Sequence, residues 1–117
     1  MTQSPSAEPL TVLVDAENVR RSVWPNISEQ QLVEMCGAWA ERHCRRLVLV
    51  FDGEAPDGRA PCETVAARNA DDWITDTAAG LNDYWLVTSD RELRRRAGER
   101  ARRVIGGGSF ARELQER

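Results

Sequence analysis

A chain of 117 residues with a formal net charge of −3 has room for one compact domain around one core, and its slight acidity gives none of the overall basic excess that marks many nucleic-acid binders. All sixteen basic residues are arginine, so every mechanism that needs a lysine is excluded. No apolar run approaches the ~18 residues of a membrane span, and no charged-then-apolar leader opens the chain, so no membrane partner is expected.

Residues 1–9 read as a loose polar tail, and residues 10–117 as a single domain. Leu10 to Val14 is apolar and β-branched, with no charge until Asp15. That is the pattern of a strand buried on both faces. Asp15 closes it, at the sheet edge where open α/β sheets bind ligands. The segment A-E-N-V-R-R-S-V-W predicts a short helix that Trp24-Pro25 stops, because proline disfavours helix in the residue before it. Ser28 and Gln31 have capping-box spacing and open a second helix to about Cys44. Leu32, Cys36, Trp39 and His43 form its buried stripe, which makes His43 a structural histidine rather than a catalytic base.

Leu47 to Phe51 is a second apolar run, closed by Asp52-Gly53. A helical connection separates it from the first, so the two strands pair in parallel with a right-handed crossover. Gly53 to Pro61 reads as a loop whose one basic residue is Arg59, and Thr64 to Ala67 as a weak edge strand. Asn69 or Ala70 opens a helix through Ala79, with an apolar face of Trp73, Ile74, Thr77, Ala78 and Leu81. This places Asp71 in the first turn, at the sheet edge that already carries Asp15. Acids there also suit the helix macrodipole, with no function implied.

Tyr84 to Thr88 predicts the fourth strand. Ser89 and Glu92 have capping-box spacing for the next helix, with Asp90 in its first turn facing the crevice. Seven arginines lie within the thirteen residues from Arg91 to Arg103. Such a run is commonly a solvated face, and beside an acidic crevice it can also hold a polyanion. Val104-Ile105 is a last short strand, Gly106 to Gly108 a flexible turn, and Ser109 the cap of a terminal helix using Phe110 and Leu114.

Three cysteines, Cys36, Cys44 and Cys62, include no C-x-x-C pair. With His43 the lone histidine, a zinc site is disfavoured. Eight helical residues hold Cys36 and Cys44 about 12 Å apart, too far for a disulfide. Reduced thiols in a cytoplasmic protein are expected.

Alternating strands and helices predict an α/β three-layer sandwich with a mainly parallel five-stranded sheet. If the third strand adds outside the second and the chain then crosses over, the order is 3-2-1-4-5. The topological switch then falls between the first and fourth strands, flanked by Asp15 and Asp90. Asp71 and Asp72 approach from the helix after the third strand. Carboxylates gathered in this way repel one another unless a cation neutralises them. Oxygen-only donors with open positions suit Mg²⁺ or Mn²⁺, which can activate a water and steady charge on a phosphate without histidine or lysine.

The motifs V-D-A-E-N at Val14 to Asn18, V-F-D-G at Val50 to Gly53, N-A-D-D-W-I at Asn69 to Ile74 and V-T-S-D-R-E-L at Val87 to Leu93 resemble those of the YacP-like NYN domains, relatives of the PIN-domain nucleases. The resemblance spans about Leu10 to Leu114. It implies a PIN-like fold and a metal-dependent endoribonuclease acting on RNA, with Asp15, Asp71 and Asp90 catalytic and, with Asp72, the holders of the metal. It also implies supporting roles for Asn18, Asp52 and Ser89 behind the acids. Arg91, Arg94 and Arg95 are the expected RNA contacts. The sequence leaves open whether a ribosome or another partner presents the substrate, and the oligomeric state. The chain departs from the family's D-G-Y-N or D-G-x-N pattern at Ala16 and Glu17, where Glu17 adds charge at a place suited to an aromatic.

A second reading is a PIN-like module that binds RNA or protein without cutting. Phosphoacceptor receiver domains also place an acid after the first strand, but they use a lysine that this chain lacks. Dinucleotide and nucleoside-triphosphate binding are disfavoured, because neither G-x-G-x-x-G nor G-K-[ST] follows a strand.

Overall fold

A computed structural model describes residues 10–55 and 62–116. The expected N-terminal tail and Arg59 lie outside the described residues. In chain order the elements are β1 (Thr11–Asp15), α1 (Ala16–Arg21), α2 (Glu29–His43), β2 (Arg46–Asp52), β3 (Glu63–Ala67), α3 (Ala70–Ala79), β4 (Tyr84–Val87), α4 (Arg91–Ala97), β5 (Arg103–Ile105) and α5 (Gly107–Gln115). The strands form one parallel sheet ordered β3-β2-β1-β4-β5, as the sequence predicts. No helix among the described residues is long and apolar enough to cross a membrane.

The period of two along each strand divides the core into two layers. Val12 and Val14 of β1, Leu47, Leu49 and Phe51 of β2, and Val87 of β4 pack under α1, α2 and α5. Leu13, Val48, Val50, Tyr84 and Leu86 pack on the other face under α3 and α4. Both faces of β1 are covered, so all five of its residues are buried. This explains why its sequence runs apolar rather than alternating. The same parity carries to the strand ends. Asp15 shares the register of Leu13, and Asp52 that of Val48 and Val50, so both belong to the α3/α4 side of the rim.

Several local expectations are corrected. α1 ends at Arg21, before Trp24. The Ser22 hydroxyl donates to the Val19 carbonyl at 2.7 Å, so a side-chain bond and not Pro25 closes the helix. The capping box of Ser28 and Gln31 on α2 is present as expected. His43, however, is exposed at the helix end. It stacks on Trp39 with ring centroids 4.5 Å apart, because the stripe drifts off the buried face in the last turn. The cap of α4 is Asp90 rather than Ser89, its carboxylate accepting from the Leu93 amide at 2.9 Å.

The glycines before α5 are not a flexible turn. Gly106 is the N-cap, Gly107 and Gly108 are helical, and Ser109 lies inside the first turn rather than capping it. A β-carbon on Gly107 would lie 2.2 Å from Asn18 Oδ1, so glycine is what lets α5 close against α1.

Candidate functional site

The C-terminal rim of the sheet gathers polar groups from four connections. Asp15 ends β1 with 7% of its surface exposed, and its carboxylate makes no capping bond to α1. Its Oδ2 accepts from the Thr88 hydroxyl at 3.0 Å. The same Thr88 oxygen accepts from the Asp90 amide at 3.1 Å. Thr88 is fully buried, and it bridges the end of β1 to the start of α4. Burial pushes the Asp15 carboxyl up to about 6; the Thr88 hydroxyl and the nearby Asn18 amide oppose this, while the charges of Asp71 and Asp52 add to it.

Asp71 stands in the first turn of α3. Its carboxyl is raised by burial first, then by the charges of Asp90, Asp52 and Asp72, against the lowering influence of Arg96. Asp15, Asp52, Asp71, Asp72 and Asp90 therefore act within one electrostatic neighbourhood, on the side of the rim that strand parity assigns. Among the described residues no basic side chain forms an ion pair with Asp15, Asp52, Asp71 or Asp90.

Several of these acids also hold the scaffold. Asp52 Oδ1 accepts from the Ala70 amide at 2.8 Å, and Asn69 Oδ1 accepts from the Asp72 amide at 3.0 Å. The two together pin the start of α3. Asp72 pairs with Arg96 at 2.7 Å, tying α3 to α4. Asn18 Oδ1 accepts from the Ser89 amide at 2.9 Å, and the Ser89 hydroxyl accepts from the Gly107 amide at 2.8 Å. Asn18 and Ser89 thus lock α1, the β4–α4 turn and α5 together.

The donor chemistry of this rim is that of a hard divalent cation: oxygen ligands only, negative in sum, with Asp15 lacking a cationic partner among the described residues. Yet among the described residues no three His, Cys, Asp or Glu side chains converge in a group able to hold a metal ion. Mg²⁺ commonly takes one or two protein carboxylates and keeps several waters, so this donor set fits such an ion without a closed cage.

The expected RNA contacts divide. Arg91 is exposed and forms no ion pair among the described residues. Arg94 instead turns its Nε to the Thr88 carbonyl at 2.9 Å, and Arg95 pairs with Glu92. The sequence reading missed Thr88, although a hydroxyl two residues before Asp90 and in register with Leu86 is a signal for it. Glu17, the departure from the family pattern, is held by Arg20 at 2.8 Å and Arg21 at 3.5 Å. A polar depression of about 440 Å³ lies elsewhere, between the end of α2 and α5. Its lining mixes Arg42, Arg112, Glu113 and Glu116, and it includes none of the rim acids.

No family model matches the sequence, and no curated protein matches it. Solved structures do match. Rae1 (YacP) from Bacillus subtilis is similar with a TM-score of 0.70 at 20% identity, covering 90% of this chain and 73% of that one. A tryptophan-to-leucine variant of the same protein gives 0.72 at 20% identity, covering 91% and 75%. At this identity the likeness establishes the fold, and that fold is YacP-like.

Proposed function

We propose that this chain is a metal-dependent endoribonuclease that hydrolyses RNA phosphodiester bonds at the rim holding Asp15, Asp71 and Asp90, in the cytoplasm. The observation that carries the reading is Asp15: a buried carboxylate with no basic partner among the described residues, held by Thr88 and with its carboxyl raised by burial first and by neighbouring acids second. A fold maintains such a charge at a cost unless it has a task, and acids gathered around it suggest a cation. The YacP-like fold and the motif resemblance support this class of reaction by analogy.

Asp15 and Asp71 would hold Mg²⁺ or Mn²⁺, with Asp90 and Asp72 acting directly or through water. When bound, that ion would lower the pKa of a water and offset charge building on the scissile phosphate. Thr88 fixes the rotamer of Asp15 by donating to Oδ2. Asp52 and Asn69 set where the first turn of α3 begins, and so where Asp71 stands. Arg91, exposed and without an ion pair among the described residues, would meet a phosphate of the substrate strand.

The test is cleavage of labelled single-stranded RNA with Mn²⁺ or Mg²⁺, against a chelated control. Metal-dependent cleavage that falls about 10²-fold or more in Asp15→Asn is the expected result. A second reading, an RNA-binding module without cleavage, is favoured by the use of Asp52, Asp72 and Asp90 in caps and an ion pair. Wild-type protein that binds RNA and leaves it intact in both metals would select that second reading.

A further inference from the structure

We infer that Trp24 is a stacking platform for a base of single-stranded RNA at the margin of the acidic rim, an inference that rests on the ribonuclease reading above. Trp24 is 88% exposed, the one large hydrophobic side chain left open among the described residues. The other tryptophans lie in the core or against it. Exposing an indole forfeits the burial that its size would otherwise return.

The loop that carries it is braced. Ile27 is buried and Val23 packs on the core, so the chain is anchored on both sides of Trp24. The Ile27 amide donates to the Arg20 carbonyl at 3.1 Å, and Arg20 Nε donates to the Ile27 carbonyl at 2.8 Å. These reciprocal bonds close the loop at its base. An aromatic presented on a fixed loop loses little entropy when a planar ligand covers it.

Its position points to the ligand. α1 follows Asp15 directly, and the loop bridges α1 to the start of α2, which lies at the same sheet edge because α2 runs down to the start of β2. A β-carbon on Gly108, at the start of α5, would lie 3.9 Å from Ser22 Cβ and 3.7 Å from an Arg112 guanidinium nitrogen. The chain two residues before Trp24 thus lies against the start of α5, on the sheet face opposite α3 and α4. Arg21 is 72% exposed while pairing with Glu17 at 3.5 Å, and Arg112 reaches toward Gly108, so two cations stand on this face for a phosphate backbone to meet. An exposed π-face takes unpaired bases of any identity, which suits a single strand and not a duplex.

The test measures binding of a labelled oligoadenylate of about twelve nucleotides, within the ~4–16 range of such sites, to the full chain in chelator so that no cutting intervenes. Trp24→Ala should weaken binding about 5- to 150-fold, the equivalent of ~1–3 kcal/mol per stacked base. The salt slope should stay unchanged, since no phosphate contact is removed. Trp24→Tyr should keep most of the affinity, and wild-type tryptophan emission should respond to RNA in a way that Trp24→Ala abolishes. Because the side chain is exposed, the variants should fold normally.

Equal affinity in Trp24→Ala, with wild-type protein cutting RNA, overturns this inference and leaves the ribonuclease reading standing. A wild-type dimer that Trp24→Ala dissociates also overturns it, by making the indole a contact between chains. Wild-type protein that neither binds nor cuts RNA removes both.

Discussion

At the scale of single residues, Asp15 and Thr88 are the buried, hydrogen-bonded polar pair of the rim. Because burial raises the Asp15 carboxyl to about 6 from the ordinary 3.8, the folded state holds the proton more tightly than the unfolded chain does. Its favourable contribution is therefore complete below about pH 4 and is lost as pH rises through 6, by up to about 3 kcal/mol in metal-free protein. Asp15→Asn removes the charge, so its stability relative to wild type should grow between pH 4.5 and 7 in urea melts. A difference that does not vary with pH would mean that Asp15 is not held unpaired. Thr88→Val deletes the donor that lowers the Asp15 carboxyl, and should move its midpoint above 6 in a carbon NMR titration. It should also reduce RNA cleavage by about 10–100-fold, the usual size for a group that orients a metal-binding side chain.

Helix starts set the acids in place, and they mark where the sequence was and was not legible. The α2 capping box was readable because Ser28 and Gln31 satisfy each other locally. The start of α4 was not. In T-S-D-R-E both Ser89 and Asp90 are acceptable caps, and the choice is settled by Asn18 and Gly107 occupying the amide and hydroxyl of Ser89. Those partners are distant in sequence, so no local pattern could report them. The glycines of α5 were misread for the same reason, since the approach of Asn18 is a tertiary fact.

The cap of α4 separates structure from chemistry. Asn caps as well as Asp, so Asp90→Asn should stay within ~0.5 kcal/mol of wild type in denaturant melts, whereas Asp90→Ala should lose ~1 kcal/mol. Both should lose cleavage. A stable, fully active Asp90→Asn would remove Asp90 from the site. Gly107→Ala should cost ~1–3 kcal/mol by forcing α5 off Asn18.

Over the whole molecule, the sheet order was legible because two continuous apolar runs, Leu10 to Val14 and Leu47 to Phe51, had to be central strands. The alternation of elements then left few ways to connect them. The arginine run was less legible, since spacing alone cannot tell a solvated face from one that holds a polyanion. The structure instead assigns Arg94 to the Thr88 carbonyl, Arg95 to Glu92 and Arg96 to Asp72. Arg91→Ala should therefore reduce the salt slope of RNA binding by about one, while Arg94→Ala should mainly lower stability, by about 1 kcal/mol. Equal slopes for wild type and Arg91→Ala would place the RNA path elsewhere.

The proposed nuclease site requires negative side chains from separate parts of the chain to share one cation at the end of the sheet. Crystals soaked in Mn²⁺ and measured for anomalous scattering test this directly. The account predicts a peak beside the Asp15 carboxylate, about 2.1–2.2 Å from at least one rim oxygen, and its loss in Asp15→Asn. A map without a peak there, or with Mn²⁺ bound only at the depression between α2 and α5, would contradict it.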